Sequence, residues 1–151
     1  MLKSLSVAVD VPLPRDRVYE FLDVMAAHET FTDHFLTDWH YSGPERGVGA
    51  KAAVTVKSGR VTDDVEIEVV EARPPLLIRE RNVGARGRRV AYGTYELAEL
   101  PGGGTRVSFT YTWERAPAVE RLLAPIVRAT MRGLNQRALD RLAERLAGPP
   151  A

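Results

Sequence analysis

The stretch that decides the fold runs from Gly93 to Arg115, "GTYELAELPGGGTRVSFTYTWER". From Thr105 to Glu114 it alternates. Val107, Phe109, Tyr111 and Trp113 fall on one face of an extended chain, and Arg106, Ser108, Thr110 and Thr112 on the other. The glycines at 102 to 104 supply the turn that joins this strand to the one before it. The apolar face carries a phenol and an indole N–H, and a sealed core has little use for either unless something accepts its hydrogen bond. The face therefore either packs directly on another layer or lines a cavity, and alternation alone leaves both open.

Working outward, "RRVAYGTYELAEL" and "LLIRERNV" form a hairpin around "GARG". Upstream, "TDWHYSGPERGVGAKAAVTVKSGRVTDDVEIEVVEARPP" reads as three strands, with turns at Gly43 to Gly47 and at Ser58-Gly59. Trp39 and Tyr41 share a face, as do Ala52, Val54 and Val56, and Val65, Ile67 and Val69. Such alternation implies antiparallel pairing with one wet face. "SLSVAVDVP" is a first strand that buries Leu5, Val7, Val9 and Val11 and ends at Pro12, which brings the count to seven.

Two helical regions flank these strands. "PRDRVYEFLDVMAAH" sets Val18, Phe21, Leu22 and Met25 at helical spacing, with Pro14 near its start, and a second short helix is expected over "ETFTDHFL". At the other end, "AVERLLAPIVRATMRGLNQRALDRLAERLA" is a long amphipathic pattern. Pro125 either starts the main helix or kinks a longer one, because it removes a backbone donor and clashes with the preceding turn, and a short helix from Ala118 with a main one from Pro125 is the expectation. The apolar stripe shifts past Gly133, from a face centred on Leu123 and Val127 to one centred on Asn135 and Leu142, which makes a bend there plausible. The final "GPPA" reads as a loose end.

A length of 151 residues suits one domain spanning 1–151, and 44% hydrophobic with 27% charged residues fits a globular chain. The 21 Lys+Arg balance 20 Asp+Glu, so no global field draws in nucleic acid or an anionic membrane. The absence of cysteine excludes disulfides, thiolate metal sites and a Cys nucleophile. No apolar run is long enough to cross a bilayer and the N-terminus lacks a signal-peptide pattern, so a cytoplasmic protein is expected.

The order strand, two short helices, six antiparallel strands, long C-terminal helix resembles the helix-grip fold of the START-like (SRPBCC) superfamily, polyketide cyclase/dehydrase-type members included. The segments that carry the resemblance are "VDVPLPRDRVYEFLDV", "GPERGVGAKAAV" and "GGGTRVSFTYTWE" followed by the helix. It implies an α+β fold in which a curved seven-stranded sheet wraps the long helix and leaves a cavity between them. The residues expected to line it and hold a ligand are Trp39, Tyr41, Val54, Ile67, Val69, Tyr95, Leu97, Phe109, Tyr111, Trp113, Met131 and Asn135. A mostly apolar wall with a few polar tips describes a small-molecule site independently of any family.

Chemistry is less sharply written. His28, His34 and His40 recur every six residues, a step of roughly 240° on a helix, so they do not converge as metal ligands and read as loop or surface residues. Candidates for proton transfer are His40 or His34, Asp63, which shares the phase of Val65 and Ile67, and Glu80 or Asn82, which share the phase of Ile78, but the register of strand 76–83 is open. If Leu77 points inward, Arg79 and Arg81 replace Glu80 and Asn82. "RERNVGARGRR" reads as a solvated hairpin that could also receive an anion. The leading expectation is a protein that binds a small hydrophobic or aromatic, lipid-like or polyketide-like molecule, without metal or cofactor, without nucleic acid and without membrane insertion. A polyketide cyclase or aromatase using the same cavity is the first alternative and a protein-interaction module the second. Catalytic residues, ligand identity and assembly, including a homodimer, are left open.

Overall fold

The computed structural model describes residues 2–148. Residues 149–151 of the expected loose end lie outside the described residues. Seven strands form one antiparallel sheet: β1 (Ser4–Val11), β2 (Leu36–Ser42), β3 (Lys51–Ser58), β4 (Val61–Arg73), β5 (Leu77–Gly84), β6 (Arg89–Glu99) and β7 (Thr105–Arg115). Their order is β1-β7-β6-β5-β4-β3-β2, so every strand except β1 pairs with its sequence neighbour, and β1 and β2 are the edges. Helices α1 (Arg15–Asp23) and α2 (Glu29–Thr32) follow β1, and α3 (Ala118–Leu122) and α4 (Ala124–Ala147) follow β7. This is the helix-grip arrangement.

The break before α4 falls where Pro125 requires it, with the proline in the first turn, whose N–H groups have no intrahelical acceptor. α4 then runs unbroken through Gly133. The first helix stops earlier than its apolar spacing suggests. Val24 is extended (φ −88°, ψ 114°), bridging Arg46, and the N–H of Met25 donates to the carbonyl of Glu45. Pairing with the β2–β3 connection thus competes successfully with one more helical turn. Met25–His28 continues as a 3-10 turn, and α2 covers only the first half of "ETFTDHFL".

α4 is fastened in two ways. Along its flank, Arg128, Arg132 and Gln136 donate to the carbonyls of Ser4, Ser6 and Ala8, the groups that β1 turns away from β7. Four helical residues rise about 6 Å and two strand residues about 6.7 Å, so a donor every fourth position keeps step with every second carbonyl. The exposed edge is thereby satisfied rather than left as a pairing template. At its C-terminal half, Ala138, Leu139 and Leu142 enter the main core with Val18 and Leu22 of α1, Phe31 of α2, and Val11, Ile78 and Val107 of the sheet. The N-terminal half, and α3 before it, do not reach the sheet in the same way: Ile126 of α4 is 64% exposed, and Leu122 and Val119 of α3 are 81 and 60% exposed.

The contributions of the packed end of α4 and of α3 to stability should differ accordingly. Leu142→Ala is expected to cost about 2–5 kcal/mol in chemical denaturation, because Leu142 is fully buried, whereas Leu122→Ala should stay within about 0.5 kcal/mol.

Candidate functional site

Between the concave face of the sheet and the N-terminal half of α4 lies a cavity of about 420 Å³. Its sheet wall comprises Leu36, Trp39, Val56, Ser58, Val61, Asp63, Val65, Ile67, Glu80, Asn82, Arg89, Tyr95, Phe109, Tyr111 and Trp113. His28, Thr32 and Phe35 close one end, and Val119, Glu120, Leu123, Ile126, Val127, Thr130, Met131, Leu134 and Asn135 form the helical wall. The alternating face of β7 is divided. Val107 is sealed in the core, while Phe109, Tyr111 and Trp113 border the void.

Of the residues expected to hold a ligand, Trp39, Ile67, Tyr95, Phe109, Tyr111, Trp113, Met131 and Asn135 lie on the cavity. Val54, Val69 and Leu97 point inward but belong to the packed core with Leu22 and Leu139, beyond the void. Tyr41 sits past its rim on edge strand β2, 45% exposed, with its hydroxyl donating to Glu29. Trp39 and Tyr41 keep one face, their rings stacked with centroids 5.8 Å apart, and a bulge explains how Leu36 and Trp39, three residues apart, both border the cavity. Asp38 takes a left-handed conformation (φ 55°) and the pairing slips between Thr37 and His40.

The register of β5 is settled in favour of Ile78, Glu80 and Asn82. Arg79 lies on the opposite face, its guanidinium 4.4 Å above the ring of Tyr92. Glu80 is consequently a carboxyl group only 4% exposed, beside an equally buried His28. His28 is not the loop or surface residue its spacing suggested. The Nε2 of His28 is 2.7 Å from the carbonyl of Leu22, an acceptor only, so Nε2 carries the hydrogen and Nδ1 turns toward Glu80. Nδ1 and Glu80 Oε2 are 3.4 Å apart, and Oε2 makes no hydrogen bond. Burial pushes the Glu80 carboxyl above the usual carboxylate range, opposed by the charge of His28. Burial, and then Glu80, also raise the Tyr95 phenol well above its ordinary value, so it keeps its proton.

A second polar group stands nearer the mouth. Arg89 donates to Asp63 (2.7 Å) and with two nitrogens to Glu120, while the N–H of Ala85 donates to Asp63 (2.9 Å). These hydrogen bonds, that to Glu120 first, hold the guanidinium's proton more tightly than usual against the opposing effect of burial. Gly84 leaves room for them, since a Cβ there would lie 2.6 Å from Arg89 Nη1 and 2.8 Å from Asp63 Oδ2. Beside this triad, burial raises the Tyr111 phenol to about 12. The rest of the wall is chiefly aromatic and aliphatic, with Ser58, Asn82, Thr130 and Asn135 among it.

His34 has a structural role. Its Nε2–H donates to the carbonyl of Leu134 and its Nδ1 accepts from Arg141, tying the end of α2 to α4. No group of His, Asp and Glu suited to a metal ion occurs among the described residues. Sequence reasoning did not assign His28, Arg89 or Glu120 to the site. A signal existed for the first: Phe21, Met25, His28 and Thr32 continue one helical stripe, which places His28 with buried neighbours.

Glu80 binds its proton more tightly folded than unfolded, so stability is lost as pH rises from its ordinary 4.5 through the raised folded value. Glu80→Gln removes that loss. Its stability relative to the native protein should increase between pH 4.5 and neutrality, as read by urea denaturation at each pH. Gly93→Ala should cost about 1–3 kcal/mol in the same measurement, because a Cβ there would lie 2.8 Å from the Phe109 ring on the cavity wall.

Comparison with known proteins agrees with the fold. The family model for polyketide cyclase / dehydrase and lipid transport proteins matches residues 3–147. A search of curated proteins found no match. Among solved structures, TTHA0849 from Thermus thermophilus is 21% identical with a TM-score of 0.73, over 95% of this chain and 96% of that one. A protein from Arthrobacter aurescens is 17% identical with a TM-score of 0.72, over 97% and 87%. Ara h 8.0201 is 12% identical with a TM-score of 0.69, over 97% and 98%.

Proposed function

The chain belongs to the polyketide cyclase / dehydrase and lipid transport family, and on that premise we propose that it binds one small, largely apolar molecule, lipid-like or polyketide-like, between the sheet and α4. The observation that carries this reading is the cavity itself. At about 420 Å³ it falls within the range of small-molecule sites, and its wall is chiefly aromatic and aliphatic with a few convergent polar groups.

The arrangement of those groups narrows the ligand class. The apolar middle is bounded by Phe109, Ile67, Met131 and Leu134, and each end offers hydrogen-bonding atoms: Glu80, Asn82 and Tyr95 at the inner end, Arg89 and Tyr111 toward the mouth. A flat or chain-like molecule with polar atoms at its ends satisfies both. A fully hydrocarbon ligand would leave Glu80 without a partner. The rim is itself apolar and exposed at Val61, Val119 and Ile126, which gives such a molecule an uncharged path inward.

The reading is tested with the uncharged dye N-phenyl-1-naphthylamine. The protein should bind it saturably at one equivalent. Met131→Trp, which fills the helical wall, should weaken it at least about tenfold, or about 1.4 kcal/mol. Unchanged affinity in a folded Met131→Trp protein would place the dye elsewhere.

A further inference from the structure

We propose that Glu80, with His28 as its charge partner, is a proton-transfer group acting on an apolar carbonyl compound bound in this cavity, an assignment that rests on the binding reading above. Glu80 occupies a position where the fold asks for an apolar side chain. The preceding inward residue on β5 is Ile78, and the cross-strand partners of Glu80 are Val69 on β4 and Gly93 on β6, none of which offers a side-chain donor. Oε2 is buried without a hydrogen-bond partner, and His28 Nδ1 at 3.4 Å is near enough for charge pairing but is not aligned for a hydrogen bond. Buried carboxyl groups kept for stability are normally satisfied by donors, and leaving one unsatisfied costs free energy. A group held unsatisfied on the wall of a cavity is available to whatever the cavity holds.

The surroundings supply the other requirements of carbon acid chemistry. His28 is locked by its Nε2–H bond to Leu22, which turns Nδ1 toward the Glu80 carboxyl. As a carboxylate in this apolar surrounding, Glu80 is a stronger base than in water. Tyr95, edge-on to His28 with ring centroids 5.5 Å apart, and Asn82 border the same end of the void and can donate hydrogen bonds to a carbonyl oxygen.

The step is enolisation. Glu80 takes the proton from the carbon next to the carbonyl, the C–H electron pair becomes the carbon–carbon π bond, and the carbonyl π pair moves to oxygen, where the Tyr95 hydroxyl donates to it. Return of the proton to the same carbon exchanges it; return to a conjugated carbon shifts a double bond. Neither outcome requires an oxidant, a reductant or a second substrate. The substrate class is a ketone with an acidic α C–H and an otherwise apolar, ring-like or short-chain body.

The probe is 2-tetralone in D₂O, with loss of its α-proton signals followed by NMR beside parallel binding titrations of the ketone and of N-phenyl-1-naphthylamine. The native protein should accelerate exchange over buffer. Glu80→Gln should slow the catalysed exchange at least about 100-fold, within the range for loss of a general base, while still binding the ketone. His28→Asn, a positioning change, should lower kcat and leave KM within about twofold. Native protein that binds 2-tetralone without accelerating exchange, or Glu80→Gln protein that exchanges as fast as native, overturns the proposal and leaves the binding reading intact. Rejection of the ketone by protein that takes up the dye also overturns it. Failure of the dye to bind removes the binding reading, and the proposal with it.

Discussion

The site depends on how α4 is held. Its polar flank is fixed to the free carbonyls of β1 by Arg128, Arg132 and Gln136, and its C-terminal half is fixed in the core by Ala138, Leu139 and Leu142. A helix fastened along one edge and at one end cannot also follow a twisted, curved sheet over its remaining length. The unfilled wedge beneath its N-terminal half is the cavity. Side chains there are too few to close it: Ile126 and Leu123 turn partly to solvent while Val127 and Met131 border the space. A second small core of Leu2, Leu5, Ala91, Trp113 and Ala124 seats the start of the helix and limits how far it can collapse inward.

The polar residues of the interior fall into two kinds. Asp63, Arg89 and Glu120 satisfy one another, each side chain about one-fifth exposed, and join α3 to the ends of β4 and β6 beside the mouth. Their mutual hydrogen bonds account for their presence. Glu80 and His28 differ, since each is almost wholly buried and the carboxyl group lacks a donor at Oε2. Proteins tolerate such a group where its chemistry is used, and the contrast between a satisfied triad and an unsatisfied carboxyl group within one cavity is what separates scaffold from candidate chemistry.

The strands and the helix order were legible in the sequence because each depends on local periodicity. Val107, Phe109, Tyr111 and Trp113 on β7 could be assigned to the inner face from alternation, and Pro125 marked the start of α4. What local pattern cannot carry is where packing stops. Val69 and Ile67 are two residues apart on the same face of β4 and both belong to the core, yet only Ile67 borders the cavity. The register of β5 was equally hidden, because Leu77 and Ile78 are both apolar, and Arg79 and Glu80 are both charged; only pairing with Val69 and Gly93 turns Glu80 inward. His28 was obscured by a break in the helix at Val24, whose cause lies in a bridge to distant Arg46.

The central claim is that a small apolar molecule enters the space beneath the N-terminal half of α4. Methyl-resolved NMR of protein saturated with N-phenyl-1-naphthylamine tests this most directly. Intermolecular NOEs from the dye to Ile67, Leu134 and Met131, with none to Leu142, are the predicted result, because the first three face the void and Leu142 is sealed in the core. NOEs confined to exposed methyls such as those of Val48 and Leu76 would contradict it.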